Sequence, residues 1–340
     1  MPEYTTFPDR DTEITLFEGP EKTLRVYFET DSLLTIQERQ WQKILDTVKC
    51  KILSSKRTSD VHTYVLSESS LLVYKNFLIL KTCGTTTLIN GLPGIIELVG
   101  RNPQAVIYSR RGYFYPEKQC LPHGCWKSEV HKLRECLGAK NSTAMSFGDS
   151  PKWQIFFHIN EVPQINCTEM MMTGLQPSID FSMRADDLSV ISLDSNCPSA
   201  EDDKKVAEKM TLDSGIHEII DENLDSQLEL LIDDHAFYPC GYSCNAIIQQ
   251  RHTEDDYFTI HVTPEEACSY ASFETNASVS RQSISNVLNI FKPQESTLVL
   301  INNTTTTLEF DNYLVEELGS FNLVTDNQFD LKVIKLVKLC

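Results

Sequence analysis

The segment Tyr64-Val65-Leu66-Ser67-Glu68-Ser69-Ser70 interrupts a hydrophobic run with four small or polar residues. Two readings fit it. The plainer one is a bulge or turn between strands. The other is chemical: in a strained Xaa-Ser peptide the serine hydroxyl can attack the preceding carbonyl and turn the amide into an ester. That ester can eliminate to dehydroalanine and hydrolyse to a pyruvoyl group, a ketone at a new chain terminus. Such a ketone can form a Schiff base and act as an electron sink. A second constellation, Cys120, His123, Cys125, His131 and Cys136, offers five potential zinc ligands in a short stretch. Its spacing fits none of the common structural-zinc patterns, so no metal is expected.

The elements that must position these residues follow from periodicity. Leu24, Val26 and Phe28 alternate along a strand. Thr35-Ile36-Gln37-Glu38 reads as a capping box, and Trp41, Ile44, Leu45 and Val48 behind it give an amphipathic helix to about Cys50. Tyr64–Val73 and Phe77–Thr82 read as adjacent strands turned at Lys75-Asn76. A helix is expected from the Thr85–Thr87 run, disturbed at Gly91 and Pro93. Further strands are expected at Gln104–Arg110, Trp153–His158, Tyr257–Val262, Ser269–Glu274, Thr297–Ile301 and Leu331–Val337, with a helix at Ser280–Phe291. A strand pair followed by a helix occurs around Tyr64–Leu92 and again around Tyr257–Phe291, which suggests an internal duplication. The pattern favours an α+β class.

Composition bounds the function. The 340 residues are 41% hydrophobic and 23% charged, enough for a substantial core. Thirty Lys+Arg against 48 Asp+Glu leave a formal charge of −18. With no basic cluster, this argues against a nucleic-acid partner and is compatible with a cationic small molecule. Glu201 through Asp234 holds twelve acidic residues and three lysines, a net −9 and half of the excess. Residues 185–234 are therefore expected to be an acidic, solvated surface excursion. No apolar run approaches the ~18 residues of a membrane span, since Leu92–Val99 is short and contains Pro93. The polar, acidic start Met1–Asp11 has no signal-peptide pattern. The eleven cysteines are odd in number and irregularly spaced, so they read as reduced thiols of a cytoplasmic protein.

Five ordered blocks then carry a resemblance. They are Phe17-Glu18-Gly19-Pro20-Glu21-Lys22, Tyr64–Ser70, Lys81-Thr82-Cys83-Gly84-Thr85, Pro239-Cys240-Gly241-Tyr242-Ser243 running on to His261-Val262-Thr263-Pro264-Glu265, and Ser272-Phe273-Glu274-Thr275-Asn276. In these the chain resembles the eukaryotic S-adenosylmethionine decarboxylases. The resemblance implies a four-layer αββα sandwich, two antiparallel sheets face to face with helices outside, with the site at a sheet edge where the cleavage segment is reachable. It implies one domain over residues 1–340 that cleaves itself between Glu68 and Ser69. The products, 1–68 and 69–340, would stay associated, with Ser69 becoming the pyruvoyl cofactor. Decarboxylated S-adenosylmethionine would then supply the aminopropyl donor for spermidine and spermine.

The resemblance also implies roles. Ser243 and His261 assist processing, a hydroxyl and an imidazole being suited to the intermediate and to the proton whose loss drives elimination. Cys83 returns a proton to the substrate carbon, for which a thiol is apt. Phe17 and Phe237 sandwich the adenine, and Glu265 holds the ribose hydroxyls. Leu66 and Glu68 flank the substrate, while Glu18 and Glu21 line the active-site region. Arg25, however, stands where the family usually has a glutamate of its putrescine site, and Ile165 where an aspartate is expected, while Glu169 and Glu274 are retained. The permanently charged guanidinium would replace the diamine cation, so little or no putrescine activation is expected. A catalytically weak regulatory paralogue that activates a partner is the alternative. The set Ser69, Cys83, Ser243 and His261 speaks against it. Relatives occur as monomers and as dimers, so a homodimer stays open.

Overall fold

The computed structural model describes residues 18–183, 200–220, 229–303, 308–324 and 328–339. Phe17 lies outside the described residues. Eight strands form the first sheet: β1 Lys22–Tyr27, β2 Ile52–Arg57, β3 Val61–Leu66, β4 Ser69–Tyr74, β5 Phe77–Thr82, β6 Ala105–Arg111, β7 Ser142–Phe147 and β8 Trp153–Ile159. Eight more form the second: β9 Cys167–Thr173, β10 Glu229–Ala236, β11 Tyr242–Gln249, β12 Asp256–Thr263, β13 Tyr270–Thr275, β14 Glu295–Ile301, β15 Tyr313–Val324 and β16 Gln328–Lys338. The orders are β2-β3-β4-β5-β1-β6-β8-β7 and β10-β11-β12-β13-β9-β14-β16-β15. Adding eight to each strand of the first gives the second. The repetition hinted at in the sequence is thus a repeat of the whole sheet, antiparallel throughout.

Period-2 alternation builds the layers. In β1, Leu24 and Val26 point outward and pack with Trp41, Leu45, Leu92, Ile95 and Leu133 of helices α1 (Glu38–Val48), α2 (Leu92–Val99) and α3 (Trp126–Leu137). On the second sheet, Phe258, Ile260 and Phe273 pack with Ala207 and Met210 of α4 (Ala200–Ser214) and with Ile284, Val287 and Phe291 of α5 (Arg281–Phe291). The inner faces meet in two apolar clusters. Ile107, Phe157 and Tyr27 pack against Met171, Val299 and Val333, and Leu72 and Ile79 against Ile247 and Tyr257. The order is helix, sheet, sheet, helix, as the resemblance implied.

Local expectations need correction at four places. The cap of α1 is Gln37, paired reciprocally with Gln40, whereas the Thr35 hydroxyl donates to the Ser32 carbonyl. The helix expected from Thr85 starts later. A 3₁₀ turn at Leu88–Gly91 precedes α2, and Pro93 sits in its first turn, where a missing N–H costs nothing. Tyr64–Val73 is two strands rather than one. Finally, the acidic stretch is not wholly a solvated excursion. Its α4 packs on β10, Asp233 and Asp234 are buried in that strand, and the Thr211 hydroxyl donates to Asp234. Among the described residues no helix is long and apolar enough to cross a membrane.

Candidate active site

Strands β3 and β4 pair Leu66 with Ser69, leaving Ser67-Glu68 as a two-residue hairpin loop. The junction between Glu68 and Ser69 is therefore a turn peptide. Ser69 adopts φ 119°, a conformation that favours glycine and costs a residue with a side chain about 1–3 kcal/mol. It is also 2% exposed. Its hydroxyl donates to Glu21 Oε1 at 2.5 Å. The Glu68 carbonyl oxygen accepts the Cys83 N–H at 3.1 Å, with Cys83 Sγ at 3.5 Å. The Ser67 hydroxyl holds the Glu68 carboxylate. A nucleophile, a carboxylate on that nucleophile and donors on the adjacent carbonyl thus surround one strained peptide.

The second sheet reaches this row from β11 and β12. Ser70 Oγ donates to Asn245 Oδ1 at 2.6 Å and lies 2.9 Å from His261 Nε2, whose Nδ1 lies 2.8 Å from Ser243 Oγ. With Ser70 donating to Asn245, its oxygen is left to accept from Nε2–H, and Nδ1 accepts from Ser243. Burial pushes the imidazole down to about 4, with Glu21, 3.7 Å from Nε2, opposing, so the ring is neutral at pH 7. Burial disfavours the Glu21 charge too, but Lys81, His261 and two hydroxyls outweigh it and hold the carboxyl below its usual range. Burial and then Glu21 push the Cys83 thiol well up and keep it protonated, with Lys22 opposing them.

These contacts cross between the sheets. The expected edge location is overturned: β4 and β12 are each third in their sheets, and the group is buried because Ser70 and His261 point inward from facing strands. Glu18 is buried as well, accepting from the Tyr115 N–H and from Gln119 Nε2. Phe237, half-buried, meets His235 edge to face with ring centroids 4.7 Å apart. Burial raises the Glu265 carboxyl, and its Oε2 has no hydrogen-bond partner among the described residues. The Leu66 side chain packs in the outer core layer, so only its backbone faces the hairpin.

Behind Glu21 lies a cross-sheet charge cluster. Lys81 Nζ is 3.5 Å from Glu21, 2.9 Å from Glu274 and 3.7 Å from Glu169. Arg25 Nη2 is 2.9 Å from Glu274 and 3.9 Å from Glu169, and Tyr257 donates to Glu274 at 2.6 Å. The cations stand on β1 and β5 and the two glutamates on the equivalent strands β9 and β13. Burial disfavours the Glu274 charge, yet Arg25 and Lys81 outweigh it and hold its carboxyl at about 2. Arg25, Ile165 and Cys167 line a cavity of about 550 Å³ with Tyr27, Phe77 and Tyr257, at the strand ends remote from Ser69.

Ser70, Lys81, Asn245, Tyr257 and His235 were not singled out from the sequence. For Lys81 a signal existed: alternation places it inward with Ile79. The five residues weighed as zinc ligands, Cys120, His123, Cys125, His131 and Cys136, do not form a metal-holding group. His123 is buried on Glu129, which also accepts from Tyr108 and Arg110. Among the described residues no group of three or more His, Cys, Asp or Glu is placed to hold a metal ion.

The neutral His261 has a pH signature. Its folded pKa, about 4, lies below the ordinary ~6.5, so between these values the unfolded chain binds more protons. This contribution is complete above pH 6.5 and is lost as pH falls toward 4. Urea unfolding in a Ser69→Ala background should show about 3 kcal/mol lost over that window relative to His261→Gln. Parallel profiles for the two would contradict a buried neutral imidazole.

The comparisons with known proteins give the family of the chain. The family model described as adenosylmethionine decarboxylase matches residues 14–336. The S-adenosylmethionine decarboxylase proenzyme of Dictyostelium discoideum is 32% identical over 307 residues, covering 84% of this chain and 74% of that protein. The Xenopus laevis proenzyme is 31% identical, covering 92% and 91%. The crystal structure of a Trypanosoma brucei AdoMetDC-delta26 monomer superposes with a TM-score of 0.53 at 24% identity, covering 79% of this chain and 99% of that one, which speaks for the fold alone. By the family match across almost its whole length, the chain belongs to the adenosylmethionine decarboxylase family.

Proposed function

We propose that this chain is a proenzyme that cuts itself between Glu68 and Ser69 and then decarboxylates S-adenosylmethionine. The observation that carries this reading is the single turn peptide on which strain, nucleophile, base and carbonyl donors coincide. Glu21, held ionised, accepts the Ser69 proton as Oγ attacks the Glu68 carbonyl carbon. The developing oxyanion takes the Cys83 N–H already on that oxygen. Collapse expels the Ser69 nitrogen as an amine, which takes the proton back from Glu21, and leaves an ester, relieving the positive φ. Loss of the Ser69 α-proton to the neutral His261, whose unprotonated Nδ1 faces Ser243, then eliminates the Glu68 carboxylate. Water replaces the nitrogen of the resulting dehydroalanine, releasing ammonia and leaving a pyruvoyl terminus.

The products of the cut stay together because 1–68 supplies β1, paired on both sides between β5 and β6, along with β2, β3 and α1. The pyruvoyl group would supply a ketone for the substrate amine and an electron sink for the bond to CO₂. Its surroundings fit that task. Cys83, kept protonated, holds a proton beside residue 69. Phe237 offers a ring face to the purine and Glu265 an unpartnered carboxylate oxygen to the ribose hydroxyls. Phe17 would supply the opposite ring face.

Arg25 already places a cation on Glu274 and Glu169, where a diamine ammonium would otherwise sit. Purified protein should release labelled CO₂ from carboxyl-labelled S-adenosylmethionine, and phenylhydrazine, which captures ketones, should block it. Added putrescine should change the rate less than about twofold, as expected when an Arg permanently neutralises the carboxylates. No release, or release indifferent to phenylhydrazine, would contradict the function. A several-fold rise with putrescine would contradict the role of Arg25.

A further inference from the structure

Five cationic side chains are buried among the described residues: Lys22, Arg25, Lys81, Arg110 and Arg111. Four of them sit on carboxylates, Arg25 and Lys81 on Glu274, Arg110 on Glu129 and Arg111 on Glu295. Lys22 is the exception. It is fully buried at the first residue of β1, between Thr82 and Arg110 of the neighbouring strands. Its ammonium donates to the Gly84 carbonyl at 2.9 Å and to Gln119 Oε1 at 3.4 Å, and it lies 5.5 Å from the Tyr113 ring centre. No carboxylate within salt-bridge distance accompanies these among the described residues. An ammonium buried without a counter-charge costs several kcal/mol, so its retention calls for an anion that appears at some stage of the reaction.

Gly84 follows Cys83. We infer that Lys22 is the counter-ion of the Cys83 thiolate, a positioning residue that lets this thiol release its proton during turnover. The inference rests on the reading of Cys83 as proton donor. The other charges facing the thiol are the carboxylates of Glu21 and Glu68, which oppose a thiolate. Cys50, Glu18, Glu129 and His123 are the other titratable groups around Lys22, with Tyr113. Burial holds the ammonium down to about 8, against Cys83 and the glutamates, so it is still charged at neutral pH. Through Gln119, which bonds both Lys22 and Glu18, the same ammonium also braces the Glu18 carboxylate.

Alkylation separates charge from scaffold. In Ser69→Ala protein, which holds Cys83 in place without turnover, iodoacetamide labelling of Cys83 is followed by peptide mass spectrometry at pH 7.0, where Lys22 is charged. Only the thiolate reacts, so Lys22→Gln, which keeps a donor for Gly84 but loses the charge, should slow labelling about tenfold or more. Lys22→Arg should stay within about threefold, and exposed Cys125 should label alike in all. In processed enzyme, Lys22→Gln should lower kcat about tenfold with KM nearly unchanged. Equal labelling of parent and Lys22→Gln would overturn the inference, as would Lys22→Arg labelling as slowly as Lys22→Gln. Should Lys22→Gln not fold, the Arg variant decides alone: retained labelling supports the role and a tenfold loss overturns it. Cys83→Ala turning over at the wild-type rate would instead remove the donor reading and leave the labelling result standing.

Discussion

Replacing His261 by alanine is expected to slow the cutting of the Glu68–Ser69 junction by about 10²–10⁴-fold, the range that a positioned acid–base group contributes. The imidazole is neutral, fixed on Ser243 and Ser70, and 3.7 Å from Glu21. The attack of Ser69 does not require it, because Glu21 is already placed to accept that proton. Elimination does. The variant should therefore accumulate the ester, with the mass of the uncut chain but cleaved at residue 69 by hydroxylamine. A gel time course with and without hydroxylamine reads both. Cutting at the wild-type rate, or a stalled chain resistant to hydroxylamine, would remove His261 from the elimination step.

Arg25→Met carries the second large effect. It strips Glu274 of its 2.9 Å partner and Glu169 of its 3.9 Å neighbour in the middle of the sandwich, leaving Lys81 alone to balance Glu21, Glu169 and Glu274. Removing one partner of a buried pair costs about 3–5 kcal/mol. Thermal unfolding should fall by several degrees or more at roughly 2–4 °C per kcal/mol. Adding Glu274→Gln to Arg25→Met should restore part of the loss, because the uncompensated charge goes with it. Arg25→Met should also become responsive to putrescine, whose two ammonium groups would find the vacated carboxylates. A variant as stable as wild type and indifferent to the diamine would mean that the cluster is balanced by other groups.

Much of this was legible in the chain. The alternation of Leu24, Val26 and Phe28 put Arg25 on the opposite face, and turn chemistry around Ser67-Glu68 was one of the two readings of that segment. Both readings hold together: the turn supplies the strain that the chemistry needs. Other parts were not legible. β9, Cys-Thr-Glu-Met-Met-Met-Thr, is buried on both faces and shows no alternation. α4 reads as a charge run because its buried Ala207 and Met210 are few among many exposed acidic and basic neighbours. The position of the site between the sheets depends on which strands face each other, and no local pattern encodes that. Lys22 belonged to a matched block, yet nothing in a sequence tells a buried lysine without a carboxylate from a surface one.

The central claim is that the chain cuts itself at one strained peptide. The most direct measurement is the intact mass and N-terminal sequence of the purified protein under denaturing conditions. Two chains are expected, the smaller ending at Glu68 and the larger starting at residue 69 with an N-terminus blocked to sequencing, while Ser69→Ala remains whole. A single unblocked chain of 38.7 kDa in the wild-type protein would contradict it.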